Sequence, residues 1–263
     1  MFADAILILA PHPDDEVVGC AAAIGRARQK GAALSVLFLT DGIPAAPSLW
    51  PWDRAGRPAR VACRRREAGE AAEALGIDIV GFAGRPSRTL RLDLDNARAE
   101  IAAAIRSTAA GMLWVPAFEG AHQDHDAANL LAASFAPDLP VWEFAEYAFL
   151  QGRPVSNRFA DETGATVLEL SAAERDAKAA CLRLYRSERG NLGHIASMRE
   201  ALRPLQGHGH GCAHDTRPFW ARFQWVPFRH PRVDFTPPER VAADLAAWRD
   251  RNGLERPDRN GRG

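Results

Sequence analysis

Short apolar runs alternate with amphipathic stretches along the first 150 residues of the chain. The run at residues 5–9 is continuously apolar and β-prone, which is typical of a strand buried on both faces. Further strands are predicted at residues 34–39, 77–82, 112–115 and 141–144. Amphipathic stretches predict helices at residues 15–30, 58–75, 96–108 and 124–133. Strand–helix units of this length predict an α/β fold, with a mostly parallel sheet and helices on both faces.

This alternation fades after about residue 150. Residues 174–186 and 241–251 predict two more helices, whereas residues 190–232 are rich in Gly, Pro, His and aromatic residues. No internal repeat or clear linker is visible, so we expect residues 1–251 to form a single domain with an irregular C-terminal extension from about residue 190. Residues 252–263 are polar and are expected to form a disordered tail.

The composition is that of an ordinary globular protein and excludes several partners. The 263 residues are 47% hydrophobic and 25% charged. Their formal net charge is zero and the pI is about 7.1, so no overall field attracts nucleic acid or an anionic membrane. The apolar run at residues 5–10 is too short for a membrane span and lacks the basic lead of a signal peptide. We therefore expect a cytoplasmic protein.

The cysteines do not suggest a binding site. The four of them lie far apart and form no C-x-x-C pair: Cys20, Cys63, Cys181 and Cys212. This spacing argues against a cysteine zinc site and against a disulfide framework. Reduced thiols in a reducing compartment are the expectation.

The first polar motif, PHPDDE at residues 11–16, follows the first predicted strand and opens the first predicted helix. Pro13 disfavours helical geometry at His12, so this histidine belongs to the strand end. Acidic residues at a helix start also complement the helix dipole, which is the structural alternative for this run. A histidine beside carboxylates at the carboxyl end of a strand favours a binding or catalytic site.

The second motif, HQDH at residues 122–125, follows the fourth predicted strand and also opens a helix. An H-x-x-H on a helix often merely faces solvent, so the evidence for a site is the position of this motif after the fourth predicted strand. Because the carboxyl ends of parallel strands meet at one edge of a sheet, the two motifs can lie together. Two neutral imidazoles and one carboxylate would then leave a position open for water, as in catalytic zinc sites.

Together the two motifs match the (A/P)HPDDE and HxDH sequences of the LmbE/PIG-L family of metal-dependent N-deacetylases and amidases, which residues 5–188 resemble. The resemblance implies a Rossmann-like sheet and removal of an acetyl or larger acyl group from an amino sugar. It also implies a bound Zn²⁺, although Fe²⁺ could occupy the same ligands. No G-x-G-x-x-G loop follows the first strand, which argues against a dinucleotide-binding enzyme.

The resemblance also implies a role for each polar residue of the motifs. It makes three residues metal ligands: His12, Asp15 and His125. It makes three others catalytic: Asp14 as general base, His122 as an imidazolium that stabilises the oxyanion, and Asp124 as the group that orients a histidine. Adjacent aspartates at a helix start point in different directions, so one can bind the metal while the other reaches the attacking water.

Two weaker matches lie on later helices. Residues 64–76 resemble a family helix of the form RxxE…LG, whose arginine lies near the substrate, and this makes Arg64 a candidate substrate-binding residue. A solvated basic helix face is the alternative. Lys178 and YRSE at residues 185–188 resemble a K…(H/Y)xSQ element with Glu188 in place of glutamine, and we interpret them as a signature of the fold.

Two departures from the family concern the substrate. Many members have Pro-Asp-Gly after the third strand, where this chain has PSR at residues 86–88. Some have a tyrosine just before HxDH, where this chain has Gly120-Ala121. Neither change affects the expected metal ligands or base, but both bear on which substrate is bound.

Several aromatic residues and histidines lie outside the motifs. Trp50 and Trp52, in a Pro-rich segment, are interpreted as a lid over the site, with exposed loop packing as the alternative. The histidines of residues 208–214 are expected to form a surface loop rather than a second metal site. His194 and His230 are expected to be structural. The aromatic residues between positions 219 and 228 are expected in the core or a subunit contact, and glycan stacking is the less favoured alternative.

These expectations describe a hydrolase that removes an N-acetyl group from an N-acetylglucosamine-type amino sugar or glycoconjugate. The alternative is an amidase that cleaves a larger N-acyl or thiol-conjugate amide. The expected partner is a small-molecule substrate, with no nucleic acid and no membrane span. The region after residue 190 is expected to shape the pocket or a subunit interface. The second alternative would make the protein a homo-oligomer.

Overall fold

The structure, a computed structural model, describes residues 1–150, 153–193, 195, 198–210, 214 and 217–254. The strands of this part of the chain, numbered in order, are Ala5–Ala10 (β1), Ala33–Phe38 (β2), Asp78–Phe82 (β3), Met112–Pro116 (β4), Val141–Phe144 (β5), Tyr147–Leu150 (β6), Arg153–Ser156 (β7), Thr166–Glu169 (β8) and Arg199–Pro204 (β9). The helices are Asp15–Gln29 (α1), Arg57–Leu75 (α2), Leu94–Thr108 (α3), Gln123–Ala133 (α4), Ala172–Leu184 (α5), Arg189–Leu192 (α6) and Pro238–Arg251 (α7).

Seven strands form one sheet in the order β3–β2–β1–β4–β5–β9–β8, and β6 and β7 form a separate hairpin. The five strands from β3 to β5 are mutually parallel. β9 runs antiparallel to both β5 and β8. The expected mostly parallel α/β sheet is therefore confirmed.

Alternate residues of β1 enter two separate cores, one on each face of the sheet. Ile6 and Ile8 pack with buried residues of α1, α2 and α5. Leu7 and Leu9 pack with buried residues of α3, α4 and α7. All four side chains are at most 1% exposed, which explains why this strand is apolar at every position.

The predicted strands and helices of the first 150 residues agree with the structure to within a few residues at each end. The C-terminal region is largely irregular, as expected, but it contributes the unpredicted strand β9 to the main sheet. The sequence of β9, REALRP, conceals it because the charged Glu200 and Arg203 are buried there. The expected tail from residue 255, Cys212 and His194 lie outside the described residues.

Glu200 of β9 shapes the helix that carries the first motif. α1 is kinked at Cys20, and the Glu200 carboxylate accepts hydrogen bonds from the freed N–H groups of Ala22 and Ala23, at 3.0 and 2.9 Å. Lys178 lies against the same carboxylate at 2.9 Å and also donates to the carbonyl of Val18. This agrees with a structural role for Lys178.

The sheet order brings the two polar motifs together. β1 and β4 are direct neighbours, with Ile8 opposite Trp114, and both run towards the same edge. The first motif follows β1 and the second follows β4, so they face each other across the carboxyl end of the sheet. No helix of the described residues is long and apolar enough to cross a membrane.

Candidate metal centre

Three side chains converge at the carboxyl ends of β1 and β4. His12 Nδ1 lies 3.4 Å from Asp15 Oδ2 and 3.4 Å from His125 Nε2. The third separation, from His125 Nε2 to Asp15 Oδ2, is 3.5 Å. Neighbouring ligands of a tetrahedral zinc ion, with bonds of about 2.0–2.2 Å, are about 3.3–3.6 Å apart. The donor set and its spacing therefore fit a zinc-sized ion held by the three residues expected to bind it.

The cluster is almost closed to solvent and its charges are tightly coupled. His12, Asp15 and His125 are 9%, 4% and 1% exposed. Burial opposes a charge on His12, but the carboxylates of Asp15 and Asp124 outweigh it and raise the pKa of this imidazole to about 10. Burial likewise opposes a charge on Asp15, yet His125 and His12 hold the pKa of its carboxyl well below the usual range. The site is built to hold a positive charge.

Asp124 fixes the ring of His12 from the side opposite the cluster. Its Oδ2 lies 3.0 Å from His12 Nε2 and accepts the backbone N–H of Arg88 at 2.6 Å. Its Oδ1 accepts the backbone N–H of Leu90 at 3.2 Å. A carboxylate in this position can accept the N–H of Nε2 and leave Nδ1 of His12 to face the cluster.

The segment at residues 86–88, where many relatives have Pro-Asp-Gly, closes over this pair. Ser87 Oγ lies 3.2 Å from His12 Nε2 and donates to Asp124 Oδ2 at 3.4 Å. Arg88 adopts a positive φ of 72°, which turns its N–H towards Asp124. In this chain the segment therefore contacts His12 and Asp124 and contributes no carboxylate.

Asp14 occupies a strained position at the start of α1. Its φ is 142°, which is unfavourable for a residue with a side chain and is tolerated where the surroundings enforce it. Its backbone N–H donates to Glu16 Oε2 at 3.1 Å, and its Oδ1 lies 3.3 Å from Arg64 Nη2. Burial raises the pKa of Asp14, although Arg64 opposes that shift. A carboxylate with a raised pKa is suited to accept a proton.

His122 is the N-cap of α4, and its Nδ1 accepts the backbone N–H of Asp124 at 3.1 Å. Burial and the nearby charge on His12 lower the pKa of His122 well below its usual value. This direction favours a neutral imidazole at this position, where the resemblance implies an imidazolium. Because Nδ1 accepts a backbone N–H, the neutral ring would carry its proton on Nε2 and could donate it in a hydrogen bond.

Arg64 does not face the opening. It is 2% exposed, its Nη2 donates to the carbonyl of Pro13, and its Nη1 lies 3.2 Å from Glu188 Oε1. The buried guanidinium thus contacts Asp14 and Glu188, which favours a role in holding Asp14 over the expected contact with substrate. Glu188, which stands where relatives have glutamine, provides the second charge that holds Arg64.

Two residues that the sequence analysis did not identify also adjoin the cluster, Glu146 and Tyr147. Glu146 is 3% exposed and its Oε2 lies 3.5 Å from His125 Nδ1. Neither that nitrogen nor either Glu146 oxygen has a hydrogen-bond partner in the described residues. The Tyr147 ring lies 5.6 Å from the His125 ring. Their position just after β5, a third parallel strand at the same edge, is the signal that could have identified them.

The histidines after β9 are held by protein groups. His208 lies 2.6 Å from Glu143 Oε2, His210 lies 2.7 Å from Asn129 Oδ1, and His214 lies 2.8 Å from Asp126 Oδ2. Within the described residues, the groups able to hold a metal are confined to the two motifs. His208, His210 and His214 therefore lie against residues of α4 and β5, where a surface loop was expected.

Residues 7–136 match the PIG-L family model, described as GlcNAc-PI de-N-acetylase. The match includes both motifs and spans about half of the chain. The chain therefore carries a domain of the PIG-L family, a family of deacetylases, and the resemblance recognised in the sequence is confirmed. No curated protein matches the chain.

Solved structures share the fold at low identity. A zinc-inhibited form of teicoplanin deacetylase Orf2 is 21% identical, with a TM-score of 0.55 over 76% of this chain and 97% of that one. N,N'-diacetylchitobiose deacetylase from Pyrococcus horikoshii is 17% identical, with a TM-score of 0.54 over 77% of this chain and 84% of that one. The 4-carboxy-2-hydroxymuconate hydratase GalB from Pseudomonas putida is 18% identical, with a TM-score of 0.54 over 78% and 98%. Since one of the three is a hydratase, the fold alone does not identify the reaction.

Proposed function

We propose that this protein is a metal-dependent hydrolase that removes the N-acetyl group from an N-acetylglucosamine-type amino sugar or glycoconjugate. The observation that carries the proposal is the cluster of His12 Nδ1, Asp15 Oδ2 and His125 Nε2, whose spacing suits a tetrahedral ion. The buried Asp14 carboxylate interacts electrostatically with Asp15 and His12 of this cluster. The deacetylase family and two deacetylases among the structural neighbours support an amide as the bond that is cleaved.

The three ligands would hold Zn²⁺, or Fe²⁺ with the same donors. A bound divalent ion supplies polarisation of the amide carbonyl and a water of lowered pKa, near 7 instead of about 15.7. Asp124 holds His12 in the tautomer that presents Nδ1 to the cluster, and Glu146, 3.5 Å from Nδ1 of His125, would do the same for Nε2 of that ring once a metal is bound. The roles of these residues are parts of the proposal.

Asp14 accepts the proton of the attacking water, because its carboxylate borders the cluster and has a raised pKa. His122 donates its Nε2–H to the carbonyl oxygen as that oxygen becomes an oxyanion. Its Nδ1 already accepts a backbone N–H, so His122 cannot also carry a second proton to the leaving group. Asp14 therefore returns the proton to the departing amine nitrogen, which restores its carboxylate.

The test is acetate and amine release from N-acetylglucosamine and its glycosides by metal-free protein and by protein reloaded with Zn²⁺ or Fe²⁺. A parallel set carries butyryl or octanoyl groups in place of acetyl. We expect release from the acetylated sugars that depends on metal. Release from the longer acyl substrates alone would replace the deacetylase with the amidase. No release from any substrate, by protein holding one equivalent of metal, would refute the proposal.

A further inference from the structure

Two segments meet beside the metal centre, and each is linked to it through contacts with residues 87 and 88. The loop after β2 forms an isolated parallel bridge at Pro44 with Ser87, which touches His12. The C-terminal segment is anchored by the carbonyl of Val233, which accepts Arg88 Nη1 at 3.2 Å, and the backbone of Arg88 holds Asp124. Residues close to these anchors in the chain, which follow Pro44 or precede Val233, are therefore the ones that can flank the site.

The loop after β2 carries two stacked tryptophans, called the indole pair here: Trp50 and Trp52. Their ring centroids are 5.3 Å apart and their planes differ by 13°. The ring of His230, from the C-terminal segment, makes a T-shaped contact with Trp50, with centroids 5.8 Å apart and planes at 85°. Trp50 is partly buried, whereas Trp52 is 73% exposed. The two segments thus join at an indole pair whose outer face is open to solvent.

The loop that contains the indole pair is held in place by hydrogen bonds from two arginines. Leu49 is buried, and its carbonyl accepts a hydrogen bond from Arg54 Nε at 3.3 Å. Arg57 donates to the carbonyl of Pro44 at 3.0 Å and to Asp41 Oδ2 at 2.5 Å. A single 3₁₀ turn at Pro51–Asp53 lies between these contacts. An apolar surface held this firmly needs little ordering when a ligand binds, which favours a binding role.

The chemistry of the neighbouring groups favours a sugar ring over an acyl chain. An indole face is a broad apolar surface with a negative quadrupole, which suits the C–H face of a pyranose. His230 Nδ1 accepts the backbone N–H of Arg232 at 3.1 Å, so its Nε2 carries the proton and is a donor for a hydroxyl group. An acyl chain would contact the indole face alone, whereas a sugar can use both the indole face and the hydrogen-bond donor of His230.

We propose that the indole pair and His230 form a subsite for a second sugar ring, attached to the amino sugar whose acetyl group is removed. The inference rests on the proposed function and deepens it, because it makes the substrate an oligosaccharide or glycoconjugate and not a free monosaccharide. Trp52 supplies the stacking face and His230 supplies the hydrogen bond that sets the orientation of the ring.

The experiment compares kcat/KM on N-acetylglucosamine, its β-1,4 disaccharide and its p-nitrophenyl glycoside. The variants are Trp52→Ala and, as a matched control, Trp225→Ala, since Trp225 is equally exposed at 72%. We expect Trp52→Ala to raise KM for the disaccharide about tenfold, with kcat and the monosaccharide reaction unchanged. Trp225→Ala should match the native protein. An unchanged KM for the disaccharide overturns the proposal, even if the aryl glycoside is affected, since that result indicates an aromatic aglycone instead.

Binding to the metal-free protein separates this inference from the proposed function. Quenching of tryptophan fluorescence reports the Kd of the disaccharide without turnover. Tighter binding of the disaccharide than of the monosaccharide, lost about tenfold in Trp52→Ala and kept in Trp225→Ala, supports the subsite even if no acetate is released. Equal binding of the two sugars by the native protein refutes it.

Discussion

The carboxyl group of Glu146 lies 3.5 Å from Nδ1 of His125, and neither group has a hydrogen-bond partner within the described residues. Asp124 lies behind His12 in the corresponding position, at a hydrogen-bond distance of 3.0 Å from Nε2. Each histidine of the cluster therefore has one nitrogen directed inwards and a buried carboxylate behind the other. A pair of such carboxylate–histidine contacts fixes both ring orientations and increases the basicity of the ligands.

We predict that Glu146→Leu weakens metal binding about 10- to 100-fold, because it removes the acceptor that orients His125. Glu146→Gln keeps an acceptor oxygen and should recover most of the affinity. Competition with a chromophoric chelator measures the Kd. Equal affinities for native protein and Glu146→Leu, with circular dichroism unchanged, would show that His125 needs no such support.

Asp14→Asn should keep the metal and lose turnover. The substitution removes the proton acceptor but none of the expected ligands, so kcat should fall at least about 10²-fold. Metal content by atomic absorption and kcat are measured on the same sample. His125→Ala is the comparison, and it should lose metal and activity together. Full activity in Asp14→Asn with metal retained would remove Asp14 from the mechanism.

His122→Ala should lower kcat about 10²- to 10³-fold, the usual effect of losing one donor to an oxyanion. Metal content should be unchanged, because His122 lies outside the three-ligand cluster. Since His122 is already neutral at pH 7, the acid limb of the native pH profile should persist in the slow variant. If that limb disappears, the group that titrates there is His122, and its neutral state in our account is incorrect.

Metal binding should release about one proton at pH 7. In the metal-free protein the pKa of His12 is about 10, so its Nδ1 is protonated at pH 7 and must lose that proton to bind a metal. Because this pKa is above that of an unfolded histidine, the charge stabilises the metal-free fold fully below about pH 6.5 and the contribution is lost as pH rises through 10. Metal affinity should increase across the same interval. Calorimetry in two buffers of different ionisation enthalpy counts the proton, and a count of zero contradicts the charged state of His12.

The buried pair of Lys178 and Glu200 should be important for stability. Lys178→Met leaves Glu200 buried without its cation, and such a loss costs about 3–5 kcal/mol of the free energy of unfolding. The control is the exposed pair of Arg186 and Glu70, where Glu70→Gln should cost at most about 1 kcal/mol. Urea denaturation of the metal-free proteins measures both. Similar small losses would mean that the kink of α1 does not depend on this pair.

Strands β1 to β4 were predictable because each is a largely apolar run followed by a helix before the next strand. Both motifs could be placed at the sheet edge for the same reason. Strand β9 was not predictable, because Glu200 and Arg203 resemble surface charges in the sequence. Their buried partners, Lys178 and Glu143, are distant in the chain. The orientation of Arg64 could not be predicted either. It depends on how α2 packs against the start of α1, and the local sequence does not determine that packing.

The most direct test of the central claim is a titration of metal-free protein with Zn²⁺ while acetate release from an N-acetylglucosamine disaccharide is followed. Activity should rise linearly and stop at one equivalent of Zn²⁺, and His125→Ala should show no rise. Activity that is already full in the metal-free protein, or that rises equally in His125→Ala, would contradict a metal centre formed by His12, Asp15 and His125.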